Sequence, residues 1–315
     1  MNMKHVLCLL LLFVSCHMEA AELTKETHVF DITEDGDTLR LDRYPAAVGE
    51  GDNSGQVLIF AFGGGFRGGQ RDHASFLPMF RFLVDNGITV VSTDYRTALG
   101  NMEPSSVDTP QKFNEALYEA IRIAVEDLYT ATAFIVDHSE KWNIDPDKII
   151  ACGSSAGAIT VLQAEYGICN GTVPPGLLPS GFNYSGVISM AGAVCAKGTP
   201  VWRAKPSPML LFHGDADPVV PFEKAVIDDF GLWGSSWISA CFESKSIPHR
   251  FHIVRGAGHE AAGTPMTKNR GEMLDFIRSL ESSEANRIVV VDERTPGYGD
   301  YKTDFTIEDY LRSNL

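Results

Sequence analysis

The stretch Ile149-Ile-Ala-Cys-Gly-Ser-Ser-Ala-Gly157 places two serines between two glycines. The apolar run before the first glycine predicts a buried strand, and the residues after the second predict a helix. Gly153 and Gly157 stand two residues before and two residues after Ser155, where side chains would make the strand and the helix collide. Ser154 has no glycine at the equivalent positions. The stretch therefore predicts a strand, a sharp turn and a helix, with Ser155 presented at the turn.

Apolar runs of strand length alternate with helical patterns on both sides of this stretch. The predicted strands lie at 56–62, 87–92, 147–152, 187–190, 209–212 and 251–254, and the predicted helices at 113–135 and 266–280. Strands without strict polar alternation, separated by helices, indicate a mostly parallel sheet with helices on both faces. Residues 21–55 are expected to hold one or two antiparallel leading strands. Ligands of such α/β sheets bind beyond the carboxyl ends of the strands.

Composition limits the classes of partner that the protein can have. The chain has 315 residues, of which 44% are hydrophobic and 21% charged, as in ordinary globular proteins. This length suits one large α/β domain or two small ones. The formal charge of −15 argues against a nucleic-acid partner, which requires a basic surface. Small neutral molecules remain compatible with this charge.

The N-terminus has the layout of a secretory signal peptide. Lys4 precedes an apolar run that is too short to span a bilayer, so residues 1–20 are excluded from the fold. Phe13-Val-Ser-Cys16 also resembles a bacterial lipobox, in which Cys16 would be acylated; the alternative is cleavage near Ala20 or Ala21 without a lipid. We therefore expect a secreted or periplasmic protein, with membrane contact only through a lipid on Cys16.

The four remaining cysteines do not form a metal-binding pattern. An exported protein allows them to pair in three ways, although Cys152 ends an apolar run and is typical of a small buried side chain. Their spacing is too wide and irregular for zinc, and the sequence contains no H-E-x-x-H motif. We therefore predict neither a metal nor a cofactor. The four are Cys152, Cys169, Cys195 and Cys241.

Glycines follow the first predicted strand in the run Phe62-Gly-Gly-Gly-Phe66. Successive glycines let the backbone bring several N–H donors together, which suits the negative charge that develops on a carbonyl oxygen during acyl transfer. The alternatives are a flexible loop and a phosphate-binding loop, but no Gly-Lys-Ser/Thr follows, which argues against the latter. The run therefore predicts an oxyanion-binding loop.

Acidic and imidazole side chains follow the last two predicted strands. Asp215 and Asp217 lie in the stretch His213-Gly-Asp-Ala-Asp-Pro-Val-Val-Pro221, and either one is able to orient a histidine. His259, in Gly256-Ala-Gly-His-Glu260, is the candidate base. The order serine, aspartate, histidine favours a catalytic role over a structural one. His213 is interpreted as structural.

These motifs together resemble the esterase/lipase branch of the α/β-hydrolases that carries a glycine-rich oxyanion loop. The resemblance covers roughly residues 56–280 and rests on "FAFGGGFRGG", "VVSTDYR", "WNIDPDKIIACGSSAG", "LLFHGDADPVVP" and "GAGHE". It implies Ser155 as nucleophile, His259 as general base and Asp217 as the acid. It also implies an oxyanion hole from the backbone N–H groups of Gly64, Gly65 and Ala156.

The chain departs from that family at two positions. Phe62 stands where the family often has a histidine that orients the glycine loop, so the geometry of the loop is left open. Ser154 occupies a position that is commonly acidic, which we interpret as tuning of the site. The presence of all three triad residues argues against a hydrolase fold that has lost its catalysis.

The resemblance predicts a serine hydrolase that cleaves carboxylic esters through an acyl-enzyme. Its substrates would be small-molecule or polysaccharide-linked esters, for which exported relatives suggest acetyl or feruloyl groups. The alternatives are a peptidase of the prolyl-oligopeptidase type and a non-catalytic carbohydrate-binding or adhesion module. We predict a catalytic domain over 21–283 and an acidic tail over 284–315. Specificity is expected in the loops 98–111, 167–184 and 231–248.

Overall fold

A computed structural model describes residues 23–46, 55–100, 102–103, 109–294 and 301–314. The predicted signal peptide, including Cys16, lies outside these ranges. Within them the chain forms twelve strands: β1 (Glu26–Ile32), β2 (Thr38–Tyr44), β3 (Val57–Ala61), β4 (Thr89–Thr93), β5 (Ile149–Ser154), β6 (Gly186–Met190), β7 (Ala193–Lys197), β8 (Met209–Gly214), β9 (Lys224–Ile227), β10 (Phe230–Gly234), β11 (His249–Arg255) and β12 (Ile288–Arg294).

Helices connect most of these strands. They are α1 (Leu77–Asp85), α2 (Pro110–Asp137), α3 (Ser139–Trp142), α4 (Ala156–Asn170), α5 (Ser235–Ser244), α6 (Pro265–Lys268), α7 (Arg270–Ser279) and α8 (Ile307–Asn314). Among the residues that the structure describes, no helix is both long and apolar enough to cross a membrane.

Nine strands form one sheet in the order β1-β2-β4-β3-β5-β6-β8-β11-β12. The last seven strands in this order, β4, β3, β5, β6, β8, β11 and β12, run parallel to one another. β1 and β2 are the antiparallel leading strands that the sequence predicted. Every residue of β3, β4, β5 and β6 is buried, because helices cover both faces of the centre of the sheet. The predicted fold class, a mostly parallel α/β sheet, is confirmed.

The carboxyl ends of four parallel strands carry the candidate site residues. The glycine loop follows β3, Ser155 follows β5, Asp217 follows β8 and His259 follows β11. Parallel strands have their carboxyl ends on the same side of the sheet. Residues from the glycine loop to His259, which are far apart along the chain, therefore converge there. The sheet is therefore the reason that the motifs meet.

The stretch 231–248, which we expected to be a specificity loop, is mostly regular structure. It contains most of β10 and all of α5, and β10 pairs with β7 and β9 in a separate three-stranded antiparallel sheet. Trp233 and Ile238 are buried, so the stretch packs against the domain instead of forming an exposed loop. β9 and β10 are only four and five residues long, too short to show a clear periodicity in the sequence.

The predicted helix over 266–280 is divided at Asn269 into α6 and α7. Asn269 leaves the helical conformation, and its side-chain amide donates to Glu272 at 3.1 Å in the first turn of α7. Asparagine favours such helix starts because its side chain bonds locally. The apolar spacing continued across the break, which concealed it in the sequence.

The segment 284–315, predicted as a tail, contributes to the domain. β12 extends the sheet by pairing with β11, and α8 packs beside the candidate site through Tyr310, which is buried. The cysteines whose pairing the sequence left open, Cys152, Cys169, Cys195 and Cys241, are all free thiols.

Candidate active site

Ser155 lies at a strained turn between β5 and α4. Its φ of 52° and ψ of −118° fall outside the regions that side chains prefer, and it still donates its backbone N–H to Met190 O at 2.9 Å. A Cβ on Gly153 would collide with the backbone of Gly157, and a Cβ on Gly157 with the backbone of Ala61. The two glycines therefore allow the sharp turn that presents the hydroxyl of Ser155 just beyond the carboxyl end of β5.

A chain of two hydrogen bonds joins Ser155, His259 and Asp217. Ser155 Oγ lies 2.8 Å from His259 Nε2, and His259 Nδ1 lies 2.8 Å from Asp217 Oδ2. With its proton on Nδ1, His259 donates to the carboxylate and accepts from the serine hydroxyl. His259 begins the short 3-10 turn His259–Ala262 directly after β11. The structure thus brings the three predicted residues into one arrangement.

Asp217 is buried, yet it is held as a carboxylate. Burial alone would raise its pKa, but hydrogen bonds and charge from His213 and His259 outweigh that effect and hold the pKa of Asp217 below its usual range. Its Oδ1 also accepts the backbone N–H groups of Val219 and Val220, at 2.8 and 3.0 Å. These donors fix the orientation of the carboxylate toward His259.

Asp215, the other acid that the sequence left open, points elsewhere. It accepts the backbone N–H of Gly256 at 2.7 Å and the guanidinium of Arg255 at 3.2 Å. Asp215 therefore ties the loop after β8 to the end of β11, while Asp217 holds the histidine. The arrangement agrees with the family resemblance, which implied Asp217 and not Asp215 as the acid.

His213 is bonded within the protein, as its structural interpretation requires. Its Nδ1 lies 2.9 Å from Ser235 Oγ, its Nε2 lies 3.2 Å from Val220 O, and Asp217 Oδ2 is 3.5 Å away. The ring is fully buried. It supports the loop that carries the acid.

Ser154, the neighbour of the candidate nucleophile, donates its hydroxyl to Ala262 O at 2.8 Å. Ala262 ends the 3-10 turn that His259 begins, so this bond links the turn at Ser155 to the segment that carries the histidine. Ser154 has a structural contact that a carboxylate could not make, because a carboxylate has no proton to donate.

The glycine loop lies directly beside Ser155. A Cβ placed on Gly63 would be 3.1 Å from the Cβ of Ser155, and one on Gly64 would collide with the carbonyl group of Gly68. Gly64 and Gly65 have φ values of 139° and 62°, which favour glycine. Ala156 is the first residue of α4, where backbone N–H groups have no acceptor within the helix. Gly65 and Ala156 line the same cavity as Ser155.

Tyr95 supports the glycine loop where the family resemblance implied a histidine. Its ring stacks on Phe62 with centroids 4.4 Å apart, and its hydroxyl donates to Phe62 O at 2.7 Å. Burial raises the pKa of the Tyr95 hydroxyl, which keeps it protonated as a donor. The geometry of the loop, open after the sequence analysis, is thus set by a tyrosine from the loop after β4, in the motif "VVSTDYR".

An apolar cavity of about 230 Å³ opens beside Ser155. Gly65 and Ala156 border it, next to the serine, and none of its lining residues lies in 167–184, one of the three stretches where specificity was expected. The apolar side chains that line the cavity are those of Phe66, Leu99, Phe113, Leu117, Ile159, Val219, Val220, Pro221, Ala225, Ile227, Leu232, Ile307, Tyr310 and Leu311.

Helix α8, which was not predicted from the sequence, forms part of the wall of this cavity. Asn314 holds the helix in place. Its side-chain amide donates to Val219 O at 3.0 Å, and its backbone carbonyl accepts a hydrogen bond from the Arg67 guanidinium at 3.0 Å. Thr306 and Asp309 cap its N-terminus reciprocally, with Thr306 N donating to the Asp309 carboxylate at 2.8 Å and Asp309 N to the Thr306 hydroxyl at 3.3 Å. The signal was present as Thr-Ile-Glu-Asp, a variant of the capping box, followed by apolar residues at helical spacing.

The described ranges contain no group of three or more His, Cys, Asp or Glu side chains arranged to hold a metal ion.

A mostly parallel sheet whose strand ends bring together serine, aspartate and histidine, in that order along the chain, is the arrangement of the α/β-hydrolase fold. Residues 41–166 match the BD-FAE family. A comparison with curated protein sequences finds no match.

Solved structures of esterase 2 from the Planctomycetes species Thermogutta terrifontis are similar to the chain. The native form gives a TM-score of 0.55 at 18% identity, over 81% of this chain and 91% of that one. The propionate-bound form gives 0.54 at 19%, over 82% and 91%. The form phosphonylated by cyclosarin gives 0.52 at 19%, over 82% and 92%. The α/β-hydrolase fold that the motifs implied is confirmed.

Proposed function

We propose that the protein is a serine hydrolase that cleaves carboxylic esters through an acyl-enzyme. The observation that carries this proposal is the hydrogen-bonded chain from Ser155 through His259 to Asp217, built on a strained turn beside a glycine loop. Strain of this kind persists only where the surrounding structure holds it, and it is concentrated at functional sites. The match of residues 41–166 to the BD-FAE family supports the same reading.

The first half of the reaction forms the acyl-enzyme. Ser155 Oγ attacks the ester carbonyl carbon while His259 Nε2 takes the hydroxyl proton, and Asp217 stabilises the imidazolium. The backbone N–H groups of Ala156, Gly64 and Gly65 stabilise the oxyanion of the tetrahedral intermediate. The bond from carbon to the alcohol oxygen then breaks, and His259 passes its proton to the leaving alcohol.

The second half releases the acid. Water enters in place of the alcohol, His259 takes one of its protons, and the resulting hydroxide adds to the acyl carbon. The bond from carbon to Ser155 Oγ breaks, the serine recovers its proton from His259, and the carboxylic acid leaves. The enzyme returns to its starting state without a cofactor.

Substrate preference follows from the size and polarity of the cavity. A volume of about 230 Å³ lies below the roughly 300–1,000 Å³ of pockets for drug-sized ligands, so it suits a short apolar acyl group. The esterase from Thermogutta terrifontis has been solved with propionate and with butyrate, acids of this size. We therefore favour acetyl and other short acyl esters over feruloyl esters. A polysaccharide as the alcohol remains part of this proposal.

Export is also proposed, on the sequence alone. Residues 1–20 have the layout of a signal peptide, and Cys16 offers a site for a lipid. Acetylated polysaccharides outside the cell would be accessible to such a protein.

Labelling by a fluorophosphonate tests the proposed activity against the non-catalytic module. An activated serine attacks the phosphorus and is labelled stoichiometrically, whereas a binding module is not. We expect one label per chain, located on the peptide that contains Ser155 by mass spectrometry. A panel of acetylated, feruloylated and peptide substrates separates an esterase from a prolyl-oligopeptidase-like peptidase. An unlabelled folded protein would refute the serine mechanism.

The α8 wall of the cavity should limit the length of the acyl group. Replacing Leu311 by Ala enlarges the cavity, so longer acyl chains fit. We expect kcat/KM for nitrophenyl octanoate to rise by about tenfold relative to nitrophenyl acetate, which corresponds to burial of one or two methylene groups. Kinetics on a series from acetate to decanoate measures this ratio.

Arg312 provides a matched control on the same helix. Its side chain is exposed and does not line the cavity, so Arg312→Ala should leave the chain-length profile unchanged. If Leu311→Ala also leaves the profile unchanged, the acyl group does not occupy this cavity.

A further inference from the structure

The outer edge of β12 is an unpaired strand edge at the end of the nine-stranded sheet. β12 pairs with β11 on one side, and within the described ranges no strand pairs with its other side. All seven of its residues are exposed, including four consecutive aliphatic residues whose exposed fractions run from 37% to 44%. Such an edge is a template for pairing with another strand. The four are Ile288, Val289, Val290 and Val291.

The opposite edge of the sheet has features that discourage pairing, and the first four residues of β12 lack them. β1 carries a bulge between Val29 and Asp31, and its acidic residues interrupt the apolar ones. Bulges and charges are common ways of blocking a strand edge. β12 is regular over its whole length in its pairing with β11. Its exposed apolar run therefore indicates an occupied edge.

The hydrogen-bonding pattern shows which backbone groups face outward. His249 N donates to Arg287 O, so the backbone groups of Arg287 and of every second residue after it face β11. The groups of Ile288, Val290, Asp292 and Arg294 consequently point away from the sheet. Four residues thus offer both a donor and an acceptor to a second strand.

We propose that β12 pairs antiparallel with β12 of a second copy of this chain, which joins the two nine-stranded sheets across a two-fold axis. A two-fold axis normal to the sheet keeps each residue on its own face, so outward-facing residues must oppose outward-facing residues. Placing Val290 on the axis satisfies this requirement. Ile288 then opposes Asp292 of the second copy.

Charge complementarity selects this register. With Val290 on the axis, Arg287 lies opposite Glu293 of the second copy, and the symmetry repeats the pair. Both side chains are more than half exposed, at 64% and 58%. Moving the axis to Asp292 would place two aspartates opposite each other, which is unfavourable. Between the charged pairs, Ile288 lies opposite Asp292, and the three valines lie opposite one another.

The surface beside β12 adds to the contact area. Stable dimers bury about 1,200–2,000 Å² in total, more than one short strand pair supplies. Val289 and Arg287 border a groove of about 510 Å³ against α7, lined by charges of both signs that include Asp275 and Arg278. The α7 flank of the second copy brings the same charges, so each groove faces a surface of mixed charge.

The molar mass of the full chain in solution tests the proposal. Light scattering should give twice the mass of one chain at micromolar concentration. Val290→Lys places two ammonium groups at the axis and should raise the dimer dissociation constant about tenfold or more. Val29→Lys, at an exposed valine of β1 on the opposite edge, should leave the dimer intact. A monomeric wild-type protein would overturn the proposal.

A charge exchange tests the register itself. Arg287→Glu and Glu293→Arg should each weaken the dimer severalfold, and the double variant should restore it. Glu293 also contacts His252 at 2.8 Å, and Arg287 contacts Glu284 at 3.0 Å, but the double variant loses both contacts, so neither can produce the rescue. Absence of rescue, or a dimer that Val290→Lys leaves unchanged, would place the interface elsewhere. Co-purification with a different chain in place of a second copy would also contradict the proposal.

Discussion

Replacing Ser155 by Ala should lower kcat for a short-chain nitrophenyl ester by about four to six orders of magnitude. The alanine removes the atom that attacks the carbonyl carbon, so no acyl-enzyme forms. Some acceleration over the uncatalysed reaction should remain, because the oxyanion donors are unchanged. The rate of nitrophenol release, in stopped-flow or steady-state kinetics, measures the fall in kcat. The variant must be free of wild-type enzyme, because a trace of it would mask so large a loss.

Ser154→Ala is the matched control for this prediction. Ser154 donates to Ala262 O instead of facing the substrate, so its loss should reduce kcat by less than about tenfold and lower Tm slightly. Equal activity of the wild type and of Ser155→Ala would contradict the assignment of the nucleophile. A Ser154 variant as inactive as the Ser155 variant would show that the two serines act together.

Replacing Asp217 by Asn should lower kcat by about 10⁴, the second-largest effect that we expect. Asparagine keeps the size of the side chain, but it removes the negative charge that stabilises the imidazolium and favours the wrong tautomer of His259. The Asp217 carboxylate is buried, and His213 and His259 keep its pKa low, so it is ionised. Replacing it by a neutral amide therefore changes the charge of the site but leaves the shape of the site intact. The pH dependence of kcat/KM should be altered along with the rate.

Asp215→Asn separates catalysis from structure at this loop. Asp215 bonds Gly256 N and Arg255, away from His259, so this variant should lose stability but keep kcat within about tenfold. Thermal unfolding and ester hydrolysis measured on both variants provide the comparison. Greater loss of activity in the Asp215 variant would reverse the roles that we assign to the two acids.

The centre of the fold was predictable because it depends on local patterns. The apolar runs that became β3, β5 and β8 are buried on both faces, and such strands are continuous in hydrophobicity. The turn at Ser155 was equally readable, because only glycine at positions 153 and 157 lets the strand and helix pass so closely. Steric requirements of this kind act over a few residues and are therefore visible in the sequence.

The periphery was less predictable because its elements depend on distant partners. β10 and α5 have weak patterns of their own and are stabilised by β7 and the rest of the domain. α8 has an N-terminal cap and an apolar face of its own. Its position over the cavity, however, depends on the hydrogen bonds of Asn314 with Arg67 and Val219. Short elements take most of their stability from tertiary packing.

The sequence by itself determined an α/β sheet, the turn that presents Ser155, the loop of three glycines, and the order of the candidate serine, acid and base. The residues alone left Asp215 and Asp217 open, and the family resemblance favoured Asp217; the tertiary structure shows which neighbour each carboxylate meets. It also decided that Tyr95 supports the glycine loop and that α8 walls the cavity. The physical reason is the same in each case: a hydrogen bond or a packing contact between residues far apart in the chain depends on distances that exist only after the sheet has formed.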